Sequence, residues 1–221
     1  PEPYAKRTSH GMILGETGEK MSKSRGNVVN PDDIVNEYGA DTMRMYEMFM
    51  GDFEKAAPWS QSSIKGCKRF LDKIWNLQEN VVEGEEYSAD MVVPFNKTIK
   101  KVTEDIQNLG FNTAIAAMMA LLNEIGAKKS INKAEYRTLL ILLNPFAPHI
   151  TEEIWENMGF GGQIAHAQWP KFDEAKCVEA TVEVPVQVNG KIRARINIAL
   201  DLSKDDMLAT ALSDEAIKAA T

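Results

Sequence analysis

The sequence predicts a mainly α chain: a helical bundle, preceded by a polar loop segment and followed by a small α+β tail. Three observations carry this. Apolar residues recur at 3-and-4 spacing through the middle of the chain, between cap residues. Residues 1–28 are rich in Gly, Ser, Thr and Lys and lack that period. Residues 182–198 alternate apolar with polar instead. The expected division is residues 1–58, 59–172 and 173–221.

Residues 1–28 read as loop, with short strand pieces around Met12–Leu14. Asn30-Pro31-Asp32-Asp33 then starts a helix. Asn is the N-cap, Pro takes the first helical position, and two carboxylates face the positive dipole end. This helix should end at Gly39, and a second, about Asp41 to Met50, at Gly51. Ser60 caps a helix from Gln61 to about Glu79. Its stripe is Ile64, Cys67, Leu71, Ile74, Trp75 and Gln78, with Gln78 the polar lapse. Three more helices follow at about 95–109, 113–125 and 133–143. Asn112 and Asn132 stand at N-cap positions, Gly110 and Gly126 at C-cap positions. Pro145 and Pro148 break the chain before a last bundle helix, about His149 to Asn157, ending at Gly159. The connections are short, so neighbouring helices should pack antiparallel. Met118, Met119, Leu121, Leu122 and Leu139–Leu143 read as bundle core. His149 reads as a buried cap or packing residue, and Trp155 and Trp169 as core or interface anchors.

Val182, Val184, Val186 and Val188 alternate with polar residues and Pro185. After Asn189-Gly190, Ile192, Ala194, Ile196 and Ile198 do the same. A two-residue Asn-Gly loop would pair Val186 with Arg193 and place valines beside cations. A three-residue loop pairs Val186 with Ile192 and Val184 with Ala194. The expectation is therefore a type I turn with Gly190 left-handed at a G1 bulge. Ser203 caps a helix to about Leu212, and residues 214–220 look helical too. A lone hairpin is marginal, so a third strand is expected beyond the end.

Composition narrows the function. Apolar residues make up 44% of 221 and charged residues 26%, which is ordinary for a globular protein. Lys plus Arg number 25 against 32 acids, a net charge of -7. That excludes a wholly basic nucleic-acid binder and leaves room for local cationic patches. Cys67 and Cys177 form no Cys-x-x-Cys cluster. That argues against a structural zinc site and a disulfide framework, so no metal held by the chain is expected, and a reducing cytoplasm fits. The apolar run Leu139–Leu143 is far too short for a membrane span. The chain starts at Pro1 without an initiator Met or an apolar signal region, so a cut fragment is expected.

The segment that carries chemistry is Lys20-Met21-Ser22-Lys23-Ser24, bounded by Gly18 and Gly26. Two ammonium groups and two hydroxyls on a Gly-bounded loop can fold over a polyphosphate, with backbone N–H groups as further donors. A plain solvated loop has the same charge and spacing. Lys191, Arg193 and Arg195 alternate along one strand, on one face, with no acid between them. They suit either RNA phosphates or an ordinary exposed face.

Lys20–Ser24 spells K-M-S-K-S and resembles the signature loop of class I aminoacyl-tRNA synthetases. Arg25-Gly-Asn-Val-Val-Asn-Pro-Asp-Asp-Ile-Val and Tyr38-Gly-Ala-Asp41 resemble the subgroup that charges Leu, Ile, Val and Met. Tyr46-Glu-Met-Phe-Met-Gly51, Ala57-Pro-Trp-Ser60 and Val186-Gln-Val-Asn-Gly-Lys-Ile-Arg193 resemble its bacterial leucyl branch. Asn144-Pro-Phe-Ala-Pro-His-Ile-Thr-Glu-Glu-Ile-Trp155 is similar to the subgroup's helical anticodon-binding-type domain. The resemblance covers essentially the whole chain.

The resemblance implies that the parent enzyme uses Mg-ATP to activate leucine and transfers it to tRNA(Leu). Lys23 would engage the departing pyrophosphate, with Lys20 assisting. Met21, Ser22 and Ser24 complete the ATP-binding loop. Lys191, Arg193 and Arg195 would contact the tRNA elbow and long variable arm. Lys97, Lys100, Lys101, Lys128 and Lys129 in the bundle would touch phosphates or stay solvated. The parent is expected to be monomeric and cytoplasmic, with no membrane partner. The family's H-I-G-H signature, nucleotide-binding sheet, leucine pocket and editing domain are absent, so the chain alone is expected to be inactive. An isoleucyl, valyl or methionyl enzyme stays open on the residues alone, as does a non-catalytic helical binding module.

Overall fold

Helix starts follow most of the caps written in the sequence. A computed structural model describes residues 3–4, 6–178, 181–188, 190–199 and 202–218. Among them are nine α-helices and three two-stranded pairings. The chain divides into two units, Pro1–Asp173 and Glu174–Thr221.

In the first unit, β1 (Ile13–Leu14) pairs in parallel with β2 (Ala57–Pro58). The intervening chain carries the Lys20–Ser24 loop, α1 (Pro31–Tyr38) and α2 (Ala40–Phe49). The side chain of Asn30 caps α1 by accepting the Asp32 N–H at 3.3 Å. The closure is tight: a Cβ on Gly11 would lie 1.8 Å from the Lys55 carbonyl oxygen, so only glycine fits. Just past β2, the Trp59 N–H donates to the Leu14 carbonyl at 2.9 Å. Ser60 follows and caps α3 (Gln61–Asn76), its Oγ accepting the Ser63 N–H at 3.3 Å. The Ser60 N–H donates to the buried Tyr46 hydroxyl at 2.6 Å.

The bundle continues with α4 (Val92–Gln107), α5 (Phe111–Lys128), α6 (Lys133–Leu143) and α7 (Pro148–Asn157). Two residues of β3 (Val81–Val82) lie parallel to β4 (Ile131–Asn132). Phe95, Ile99, Ile115, Met118, Tyr136, Leu139 and Phe146 are fully buried between the helices. Each such side chain contributes about 1.5–3 kcal/mol on leaving water. Trp155 and Trp169 belong to this core, with their indole N–H groups donating to the Gly161 carbonyl and Thr103 Oγ1.

Several local expectations are corrected. Trp75 is 40% exposed, and Phe70 takes a core position in α3 instead. Beyond Asn76 the chain tightens into a 3-10 turn, Leu77–Asn80, where α3 was expected to continue. Asn112 does not cap α5, and Gly110 is that helix's N-cap rather than the C-cap of α4. Asp105 organises the corner: its carboxylate accepts Thr113 Oγ1 at 2.7 Å and its carbonyl the Gly110 N–H at 2.7 Å. Gly126 does not end α5. The helix runs on to Lys128, which donates to Ser88 Oγ and Asp90, and Lys129 takes the left-handed position at φ 64°. His149 is exposed, its side chain 73% accessible, so it is not a buried packing residue. The cap of α7 comes from far away in sequence. Buried Asp41, in α2, accepts the N–H groups of His149 and Ile150 at 3.4 and 2.6 Å.

In the second unit, β5 (Thr181–Val188) and β6 (Lys191–Ala199) form the hairpin. Ser203 caps α8 (Lys204–Ser213), and a short α9 (Glu215–Lys218) follows. The predicted helix over 214–220 partly falls on residues 219 and 220, outside the described residues. The three-residue turn is not formed. Val188 pairs with Lys191 across a two-residue connection, of which residue 189 lies outside the described residues and Gly190 has φ 75°. The extra residue sits farther along, at a bulge where Arg193 has no cross-strand partner. Beyond it Val186 pairs with Ala194 and Val184 with Ile196, so valines still meet apolar partners. A bulge corrects parity as well as a longer turn does.

Candidate functional site

The Lys20–Ser24 loop grows from β1. The Gly15 N–H donates to the Glu19 carbonyl at 2.8 Å, and a single antiparallel bridge joins Leu14 to Lys20. Gly18 turns this small loop with φ 81°, a region that favours glycine. Met21 then packs onto the core, which pins the middle of the motif. Lys23–Arg25 form one 3-10 turn, closed by left-handed Gly26, whose N–H donates to the Lys23 carbonyl.

Asn27 ties the two ends together. Its side-chain oxygen accepts the Ser22 N–H at 2.8 Å, and its amide nitrogen donates to the Lys20 carbonyl at 3.3 Å. Ser22 Oγ and Ser24 Oγ lie 3.2 Å apart. Arg25 pairs with Glu19 at 3.3 Å on the surface. Lys20 and Lys23 are exposed, and no carboxylate pairs with either among the described residues. The loop therefore presents two uncompensated ammonium groups on a backbone fixed by one amide and one apolar anchor. Such an arrangement suits an incoming polyanion, which supplies the missing countercharge. The sequence marked Lys20, Met21, Ser22, Lys23 and Ser24, and the structure keeps them together. It did not mark Asn27 as the tie. The only signal was its place in the stretch after the motif.

The hairpin cations are arranged differently from the expectation. All three are exposed. By register, Arg195 lies opposite Pro185 and shares its face with Gln187 and Ile192, whereas Lys191 lies opposite Val188 on the other face. Arg193 occupies the bulge between them. The cations thus surround the hairpin tip instead of lining one face. Ile192 is moved outward by the same bulge and is 53% exposed.

Among the described residues, no group of three or more His, Cys, Asp or Glu could hold a metal ion. No helix among them is long and apolar enough to cross a membrane.

Residues 90–208 match the family described as the anticodon-binding domain of tRNA ligase. Residues 1–60 match the class I tRNA synthetases of the I, L, M and V group. The chain is 56% identical over 218 residues to a leucine–tRNA ligase of Alkaliphilus oremlandii (strain OhILAs). That match covers 99% of this chain and 27% of the relative, so the chain spans about a quarter of the curated protein it matches. Among solved structures it resembles the ternary complex of Agrobacterium radiobacter K84 agnB2 LeuRS-tRNA-LeuAMS. The TM-score is 0.73 at 30% identity, over 99% of this chain and 31% of that one. The anticodon-binding match, residues 90–208, covers more than half the chain and lies behind a class I segment, so the protein belongs to the anticodon-binding domain family of tRNA ligases, with a leucine–tRNA ligase among its relatives.

Proposed function

We propose that the chain serves a leucine–tRNA ligase that activates leucine with Mg-ATP and passes it to tRNA(Leu). Residues 1–58 supply the end of the catalytic domain. Residues 59–172 supply the tRNA-binding bundle, and residues 173–221 a small terminal domain. The observation that carries this is the pair of uncompensated lysines on the Asn27-tied loop. Lys23 engages the pyrophosphate as negative charge builds on it, and Lys20 assists. Met21, Ser22 and Ser24 shape the loop around ATP. A cation that binds the leaving group more tightly in the transition state lowers the barrier. Mg2+ arrives with the nucleotide phosphates. Leucine is selected by a part of the parent outside this chain, and the enzyme works as a cytoplasmic monomer.

The test is leucine-dependent ATP–pyrophosphate exchange by a protein with the complete catalytic domain. Lys23→Ala should lower it roughly 100- to 1,000-fold. A loss under about tenfold removes Lys23 from the role. Exchange driven by isoleucine, valine or methionine would replace the leucine assignment. The 221-residue chain alone should support no exchange.

Lys191, Arg193 and Arg195 are assigned to tRNA phosphates around the hairpin tip. Neutralising all three should reduce the salt dependence of tRNA binding by up to about three phosphate contacts. An unchanged slope would leave them as solvated charges.

A further inference from the structure

Helix α3 carries four cations, Lys65, Lys68, Arg69 and Lys73, and a single acid, Asp72. Its two flanks differ. On one, Lys68 pairs with Asp72, and the adjoining cavity is also lined by Asp41 and Glu153. On the other, Lys65, Arg69 and Lys73 recur every four residues with no acid among them. Neighbouring like charges at this spacing destabilise a helix. Lys73 has a local reason to be there, since a cation in the last turn favours the dipole. Arg69, in mid-helix, has none. No carboxylate pairs with Arg69 or Lys73 among the described residues.

This second flank borders an open groove between α3 and α5. It has two sections, of about 460 and 260 Å3, which share Lys73, Leu122 and Asn123. The floor is apolar, with Phe70 and Met119. The walls carry Arg69, Lys73 and the amides of Asn76 and Asn123. No Asp or Glu lines either section, in a chain of net charge -7. Gly66 and Gly126 open the walls: a Cβ on Gly126 would meet nothing within 4 Å, and one on Gly66 only the tip of Arg69 at 4.0 Å. Ser62, in the first turn of α3, lines one end. From Ser62 to Asn76 the wall runs roughly 21 Å at 1.5 Å per residue.

We infer that this groove is a second RNA-backbone site, gripping phosphates through Arg69 and Lys73. Hydroxyl donors at one end and amide donors toward the other flank the two cations, which suits phosphate and ribose oxygens rather than base edges. The open glycines let a sugar–phosphate strand approach the helix backbone. This deepens the tRNA-binding reading above and rests on it.

The experiment titrates the 221-residue chain with fluorescently labelled unfractionated tRNA at several salt concentrations near 50 mM and above. Arg69→Gln with Lys73→Gln should weaken binding roughly tenfold and lower the slope of log affinity against log salt by about 1.4–1.8. Lys68→Gln, on the neutralised flank, should stay within about twofold. Asn123→Asp, which places a carboxylate in the groove, should weaken binding without removing a cation. Unaltered melting curves show that these exposed substitutions leave the fold intact. Wild-type affinity and slope in the double variant would overturn the groove assignment while leaving tRNA binding standing. Absence of tRNA binding by the unsubstituted chain would instead overturn the reading beneath it. A polyglutamate probe that binds more tightly than tRNA, and loses that binding in the double variant, would make the occupant an acidic polypeptide and overturn the RNA assignment.

Discussion

Two polar connections in the first unit have opposite character. The stretch from Gly84 to Met91 is bound down by buried charge. Glu135, 2% exposed, accepts the Ser88 N–H at 2.9 Å, the Ser88 hydroxyl, and the Asn132 N–H at 3.1 Å. Lys128 closes the far side on Ser88 and Asp90. The stretch from Gly15 to Asn27 has one amide for a tie, and its lysines face water without partners. A connection that only has to hold helices together uses its charges internally. The lysine loop pairs only Arg25 with Glu19 and leaves Lys20 and Lys23 unspent.

Substitutions can break or sharpen that contrast. Lys23→Ala should have the largest effect, about 2.7–4 kcal/mol on the activation barrier of the complete enzyme, with the melting temperature unchanged. A matching loss of stability would show that the loop is structural after all. Glu135→Ala should do the reverse. Three donors lose their acceptor, so the first unit should lose about 3 kcal/mol of stability, or roughly 6–12 °C of melting temperature. A shift of a degree or two would mean that water replaces the carboxylate. Asn27→Ala should fall between them. It should speed amide exchange at Ser22 and lower activation about tenfold, for a stability change of about 1 kcal/mol. Unchanged exchange at Ser22 would show that the tie is dispensable. The smallest effect belongs to Asp90. Its hydrogen bond from Lys128 holds the carboxyl below the usual range. A depressed carboxyl stabilises above its unfolded pKa of about 3.9 and loses that contribution as pH falls through its folded value. Asp90→Asn should therefore cost under about 1 kcal/mol at neutral pH, and the difference should vanish in acid melts well below pH 4. A difference that persists there would assign the effect to packing.

Much of this fold was legible because its signals are local. Asn30, Ser60, Asn132 and Ser203 each cap a helix a few residues ahead, as their positions require. Asn132 even completes a reciprocal box with Glu135. What was not legible depends on partners distant in the chain. Nothing beside Pro148 says that Asp41, more than a hundred residues earlier, caps α7. Gly126 looks like a stop until Lys128 finds Ser88 and Asp90. The hairpin bulge has several solutions of equal parity, and the local pattern cannot choose among them. At the candidate site the cations were plain from their types and spacing. Their support was not, because Asn27 acts through a turn whose path only the folded chain defines.

The parallel contact of β1 with β2 sets a further condition. Leu14 is the last residue of β1 before the lysine loop, and its carbonyl holds the Trp59 N–H. The very next residue, Ser60, anchors the first turn of the bundle. The lysine loop and the first helix of the bundle thus pivot on the same few atoms, so neither can be displaced at its root without the other registering it.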